Sequence, residues 1–314
     1  MEINLISGKY LSCGLVNLRI NMLFLLFTPN AMNSTRKISI LISFFLFTLS
    51  YSQTEKKDSL IASFTYSLKA KLYKSNPDQV FEELFSLQVL KDRAFFISEK
   101  SMKYDSTFQS EFQKATVGGT THIDFRGKSF PKTRFPYTIL QTNQNNQYFE
   151  RAGMSLLTYK EPVINNWKLI DESKTIQSFN CRKAEINYNG RNWTAWYTTD
   201  IPLAYGPYKF TGLPGLIIKI SDQSGDYDFE LVKSVPSSQL KGKMLSIEKR
   251  RYENANITTM SGLREAKKNF VNNMVGTLQS METTIAPESR ETFRNIQLQK
   301  QKNFNDENTI EQIK

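Results

Sequence analysis

A chain of 314 residues with 39% hydrophobic and 23% charged side chains can bury a sizeable apolar core without disulfide or metal staples. Its single histidine and two cysteines fall short of the four Cys or His ligands of a structural zinc site. The net charge of +11 is scattered along the chain rather than gathered into a stripe, which speaks for a solvated basic surface and against a nucleic-acid partner.

The apolar stretch Leu11 to Phe27 is broken by Asn17, Arg19 and Asn21, a poor match to the ~20 apolar residues of a membrane span. From Met32 the pattern is cleaner, with Arg36-Lys37, an apolar run from Ile38 to Leu49, and then Ser50-Tyr51-Ser52. A basic n-region, a short h-region and a small-x-small site describe a secretory signal peptide over 32–52, cut after Ser52. Residues 1–31 then read as an extension from a mis-assigned start codon, and the mature chain as not membrane-spanning. Residues 53–287 are expected to form a single β-rich domain, and 288–314 a polar tail that is a frayed helix or disordered. Removing 1–52 takes away Lys9, Arg19, Arg36 and Lys37 against Glu2, so the charge falls from +11 to +8. Cys181 alone remains, either buried as a small apolar group or available to another molecule.

In the mature chain, Phe64, Tyr66, Leu68, Ala70 and Leu72 alternate with Thr65, Ser67, Lys69 and Lys71, the period of a half-buried strand. Ser75-Asn76-Pro77-Asp78 marks a turn. Phe85, Leu87 and Val89, then Ala94 to Ile97, give two further strands joined through Lys91-Asp92-Arg93. Residues 100–165 are less regular, with short strand candidates at Thr121–Phe125, Tyr137–Gln141, Gln147–Arg151 and Leu156–Tyr159.

Two hairpins can be written with their register. Asn189-Gly190 suits a two-residue turn with positive φ at both positions. It sets Ile186 against Trp193 and Ala184 against Ala195 on an apolar face, with Glu185 against Thr194 on the other. A second turn at Ser224-Gly225 sets Ile220 against Phe229, Ile218 against Leu231, and Lys219 against Glu230. Residues 243–251 are a further strand candidate. Leu263, Ala266, Phe270, Val271 and Met274 form a helical stripe that can cover the sheet. The fold class expected is mainly β, a twisted antiparallel sheet of hairpins covered on one side by a C-terminal helix.

Between these elements lie Cys181, Ala184, Gly190, Arg191, Trp193, Trp196, Tyr197, Gly206 and Pro207, and then Gly212, Leu213, Pro214, Gly215, Leu216 and Ile217. In this order and spacing they resemble the GLPGLI family, exported proteins of Bacteroidota with no assigned activity. The resemblance is densest over 167–235 and reaches the strand near Ser63 and the helix near Leu263. Leu213-Pro214-Gly215-Leu216 reads as a type II turn, with positive φ at Gly215, and so as a structural corner leading into a core strand.

Catalytic signals are missing. His122 has only Cys181 as a conceivable partner, and no motif joins them. Asp222, Asp226 and Asp228 beside Ser224 and Gly225 faintly resemble a calcium loop, but lack its terminal Glu and read as a solvated turn. No catalytic residue, metal or cofactor is assigned. The 22 Phe, 14 Tyr and 3 Trp residues are the positive clue, because a curved sheet so rich in aromatics can enclose an apolar groove. At the level of architecture alone, such a shape is similar to the periplasmic lipoprotein carriers. The function expected is a non-catalytic secreted or periplasmic envelope protein that binds an apolar ligand or an outer-membrane protein partner. The alternative is a carboxylate-based hydrolase acting on an envelope or extracellular polymer. The leader pattern predicts exported protein beginning at or within a few residues of Gln53. N-terminal sequencing that finds 1–31 retained would refute it.

Overall fold

The computed structural model describes residues 58–117, 129–280 and 289–312. The stretches expected to be a signal peptide and a 1–31 extension, the strand candidate 121–125 and His122 lie outside the described residues. Twelve strands form one sheet: β1 (Ala62–Lys71), β2 (Val80–Val89), β3 (Arg93–Ser98), β4 (Thr138–Thr142), β5 (Asn145–Ala152), β6 (Ser155–Pro162), β7 (Lys168–Ile176), β8 (Phe179–Tyr188), β9 (Arg191–Thr198), β10 (Leu216–Asp222), β11 (Tyr227–Val235) and β12 (Asn256–Ile257). The helices among the described residues are α1 (Glu99–Val117), α2 (Met260–Asn272), α3 (Met274–Ser280) and α4 (Arg290–Asn305). The strand order is β12-β6-β5-β4-β3-β2-β1-β11-β10-β9-β8-β7. Every pairing is antiparallel except the short parallel one of β12 on β6.

This order fixes the shape. Strands β6 and β7 stand ten places apart in the sheet, yet only residues 163–167 join them. Ten inter-strand steps would span about 48 Å in a flat sheet. The link reaches roughly 20 Å at full extension. The sheet must therefore curl until its two edges approach, without closing.

The concave side is the main core. Phe64, Tyr66, Leu68 and Ala70 of β1, Phe85 and Leu87 of β2, Phe96 of β3 and Ile139 of β4 are buried there. Phe85 stacks on Phe96 at 4.8 Å, and both meet the edge of Phe229 from β11. A smaller convex cluster, Leu90, Phe95, Ile97 and Ile247, is covered by Met102 of α1 and by Leu245 and Tyr252. Burial on both faces explains the unbroken apolar run of β3.

Both predicted hairpins have the expected register. Tyr188 faces Arg191, Ile186 faces Trp193 and Arg182 faces Tyr197, closed by Asn189 at φ 47° and Gly190 at φ 85°. Lys219 pairs with Glu230 and Ile220 with Phe229, and the Lys219 ammonium lies 2.7 Å from the Glu230 carboxylate. Thr259 caps α2 by accepting the Gly262 N–H, and the helix packs on β5 and β6 through Leu263.

One strand expectation is corrected. Residues 243–251 add no strand; Met244 makes one bridge to Ser59, and Lys249–Arg251 form a 3-10 turn tied to Asp105 of α1. The irregular middle contains α1, capped at Ser98, whose hydroxyl accepts the Ser101 N–H. Within the predicted tail, Arg290–Asn305 is a 16-residue helix, and residues 306–312 run back against the sheet. No helix among the described residues is long and apolar enough to cross a membrane.

At Gly190, φ lies in the region where a Cβ crowds its own carbonyl, and that Cβ would also stand 2.9 Å from Gln312. Gly190→Val is expected to cost about 1–2 kcal/mol in a denaturant melt. An unchanged midpoint would contradict this turn.

Candidate functional site

After Thr198 the chain does not turn directly into β10. Residues 199–215 dip into the concavity, where Tyr205, Tyr208, Lys209, Phe210 and Leu213 are buried. Backbone inside a core needs partners for its carbonyls. Gln141 of β4 donates to Gly206 O at 2.7 Å and Tyr208 O at 2.6 Å, while Asn146 of β5 donates to Lys209 O at 2.8 Å. The Trp167 indole N–H donates to Thr211 O at 2.9 Å, and the Tyr66 hydroxyl to Ile217 O at 2.6 Å.

The expected type II turn is not formed. Gly215 is absent from the positive-φ positions, and its N–H donates to Leu213 O at 2.8 Å, a three-residue turn about Pro214. Gly215 is required for space instead, since a Cβ there would stand 2.0 Å from Thr198 O. The positive φ, +89°, belongs to Gly212, whose Cβ would meet Ile164 O at 2.0 Å. The two glycines let the inserted loop press against β9 on one side and the edge-joining link on the other.

Lys209 is 0% exposed. Its ammonium donates to the Tyr159 hydroxyl at 2.8 Å, to Glu161 at 2.7 Å and to Glu311 at 2.6 Å, so all three protons are used. The rings of Tyr148, Tyr159 and Tyr208 surround it at 4.6–5.4 Å. Glu161 also accepts from the Tyr188 hydroxyl at 2.8 Å, which links β6 to β8 across the curl.

Glu311 reaches this cluster because the tail is held by a second buried cation. Arg191 donates to Asp222 at 2.6 Å, to Asp226 at 3.0 Å, to Asn308 Oδ1 at 2.6 Å and to Thr309 O at 2.9 Å. Burial opposes ionisation of Asp226, but hydrogen bonds from Asn308, Arg191 and Ser224 outweigh it and hold this carboxyl below its ordinary value. The guanidinium thus takes up two of the carboxylates that resembled a calcium loop, and the described residues hold no group of three or more metal-ligating side chains.

Beside Lys209 lies a cavity of about 140 Å³, lined by five tyrosines (137, 148, 159, 208 and 227) and by residues of α2, Phe304 and the tail. Burial raises the pKa of all five phenols, which stay neutral. Glu150 accepts from the Tyr148 hydroxyl at 2.8 Å and pairs with Lys267 of α2 at 2.7 Å. Burial pushes the Glu307 carboxyl up; Lys267 opposes the shift and Glu150 adds to it.

Of the residues singled out in the sequence, Cys181, Ala184, Trp193 and Tyr197 are buried in the main core. Trp196 carries the Lys174 ammonium 3.8 Å over its ring. Gly206 packs against Ile217, and Leu213, Leu216 and Ile217 are buried, while Pro214 is exposed. None of these lines the cavity; Lys209, Glu311, Glu150 and the tyrosines escaped notice. The available signal was Tyr208-Lys209-Phe210, a cation between two aromatics inside the densest motif.

Residues 187–219 match a family model described as a protein of unknown function (Porph_ging). No curated protein matches the chain. Among solved structures, PNGF-II in a P21 crystal form is similar at 15% identity and a TM-score of 0.43, covering 66% of this chain and 33% of that one. Its C2 form gives 13% identity and a TM-score of 0.42, covering 66% and 32%. An uncharacterized conserved protein from Thermus thermophilus gives 9% and 0.28, covering 63% of this chain and 91% of that one. The chain thus spans about a third of the length of PNGF-II.

Lys209→Met would leave Glu161 and Glu311 facing each other without their cation. A loss of about 3–5 kcal/mol is expected in urea melts. A variant within about 1 kcal/mol of the parent would show that the cluster is not a buried ion network.

Proposed function

We propose that the chain is an exported, non-catalytic binding protein of the GLPGLI type, acting in the periplasm, at the outer membrane or outside the cell. Its site is the tyrosine-lined cavity. The leader pattern and the motif order support export and kinship. The observation that carries the binding reading is a preformed cavity of about 140 Å³ beside charges already paired within the protein. Glu150 is engaged by Lys267 and Tyr148, and Glu311 by Lys209. Paired groups of this kind fix a shape rather than attack a bond. The volume suits a ligand part the size of one aromatic ring, since an apolar cavity of ~150 Å³ takes up benzene. That part belongs to a small apolar ligand or to a side chain of an envelope protein.

The hydrolase reading retains one favourable observation, the raised Glu307 carboxyl near Glu150. A polymer would need an extended cleft, and this cavity of about 140 Å³ has room for a group about the size of one ring.

Benzyl alcohol is expected to bind the parent saturably, seen by calorimetry and a raised melting temperature, and to lose at least tenfold in affinity in Leu263→Trp, which fills the space. Equal binding by both proteins would refute the site. Hydrolysis of an envelope polymer that Glu307→Gln abolishes would replace this reading with the enzymatic one.

A further inference from the structure

The groups that hold the Glu311 carboxylate come from three places outside the tail. Lys209 Nζ of the inserted loop donates at 2.6 Å, Asn189 Nδ2 of the β8–β9 turn at 3.1 Å, and the Tyr159 hydroxyl of β6 at 3.5 Å. Each is positioned without Glu311. Asn146 grips the Lys209 carbonyl, Glu161 supplies a second counter-ion, and Asn189 is fixed by its hairpin. The seat opens onto the cavity, whose lining includes Tyr159, Tyr208 and Glu311 itself. The Tyr137 and Tyr208 rings are 6% and 2% exposed, and neither hydroxyl bonds another group among the described residues.

We propose that the seat of Glu311 is a carboxylate-binding site occupied in cis by the tail, and that the cavity's ligand is a small aromatic carboxylate that displaces it. This rests on the cavity being a binding site. The exchange is balanced in charge, because one carboxylate leaves Lys209 as another arrives, and Glu161 stays. The ring would lie among the tyrosines and against Leu263. Only the end of the tail has to lift, since Asn308 and Thr309 are anchored independently by Arg191. A carboxylate tethered in cis competes at an effective concentration on the order of millimolar, so the tail sets a threshold for ligand.

The test uses the full chain, as parent, Glu311→Ala and Glu311→Gln, with benzoate and the neutral benzyl alcohol as probes. Benzyl alcohol should bind each of the three, and its affinity for each protein is the reference against which that protein's benzoate affinity is read. Benzoate should bind Glu311→Ala at least tenfold more tightly than the parent. Glu311→Gln keeps the shape of the tail and should show a smaller gain in the same direction, which covers the case in which the alanine variant does not fold. In the parent, saturating benzoate should speed hydrogen exchange at the Gln312 amide, which otherwise donates to Asn189 O at 2.8 Å. If benzyl alcohol binds but benzoate gains nothing in either variant, or the Gln312 amide stays protected at saturation, the carboxylate seat is overturned and the cavity stands. If neither probe binds any of the three proteins, the cavity reading falls and takes this one with it.

Discussion

The five-residue link between β6 and β7 is the constraint from which the rest of the architecture follows. It forces edges ten strands apart to approach, and a sheet so curled has a concave side that its own side chains cannot fill. An empty interior of that size would leave large apolar surface without packing partners. The protein fills it with chain: the loop after β9 enters first, and the tail after α4 follows. Loops inside a core are unusual because their carbonyls need donors. Gln141 and Asn146, placed side by side on β4 and β5, supply them.

Filling a core with loop backbone brings charge inside. A lone buried ammonium is very costly, and it is tolerated when every proton has an acceptor. Lys209 meets that condition with acceptors from β6 and the tail. Arg191 does the same between the β10–β11 turn and the tail. Such networks add little net stability over an apolar replacement, but they permit one arrangement only, because a shifted tail strands a charge. The two cations therefore set the path of residues 306–312, which apolar packing alone would leave poorly defined.

The sheet was legible in the sequence where local rules govern it. Asn189-Gly190 and Ser224-Gly225 fixed two hairpins in register, since turn chemistry and alternation agree there. Helix α1 was hidden because its apolar stripe is three aromatics, Tyr104, Phe108 and Phe112, one per turn, in an otherwise polar segment. The turn at Pro214 was misread because Pro-Gly satisfies two demands. Locally it suits a type II turn, whereas here Gly215 answers a steric demand from Thr198, distant in sequence. The cavity was invisible for the same reason. Tyr137, Tyr148, Tyr159, Tyr208 and Tyr227 are each ordinary core residues in their own segments, and only the curl gathers them.

The role of the motif segment changes once the loop is seen inside the sheet. Its glycines and leucines touch no cavity, yet they position Lys209 beside it. Gly212 permits contact with the link at Ile164, and Gly215 permits contact with β9, so the loop is pinned at both ends by contacts a Cβ would forbid. Between these pins and the amide clamps, the lysine has almost no freedom, and an ammonium held this rigidly loses little entropy on meeting an acceptor. The shape of the corner and the chemistry of the site are then one problem. A substitution that loosens the corner moves the ammonium away from Glu161, Tyr159 and Glu311 together, so stability and binding should fail as a unit in the loop and separately in the tail.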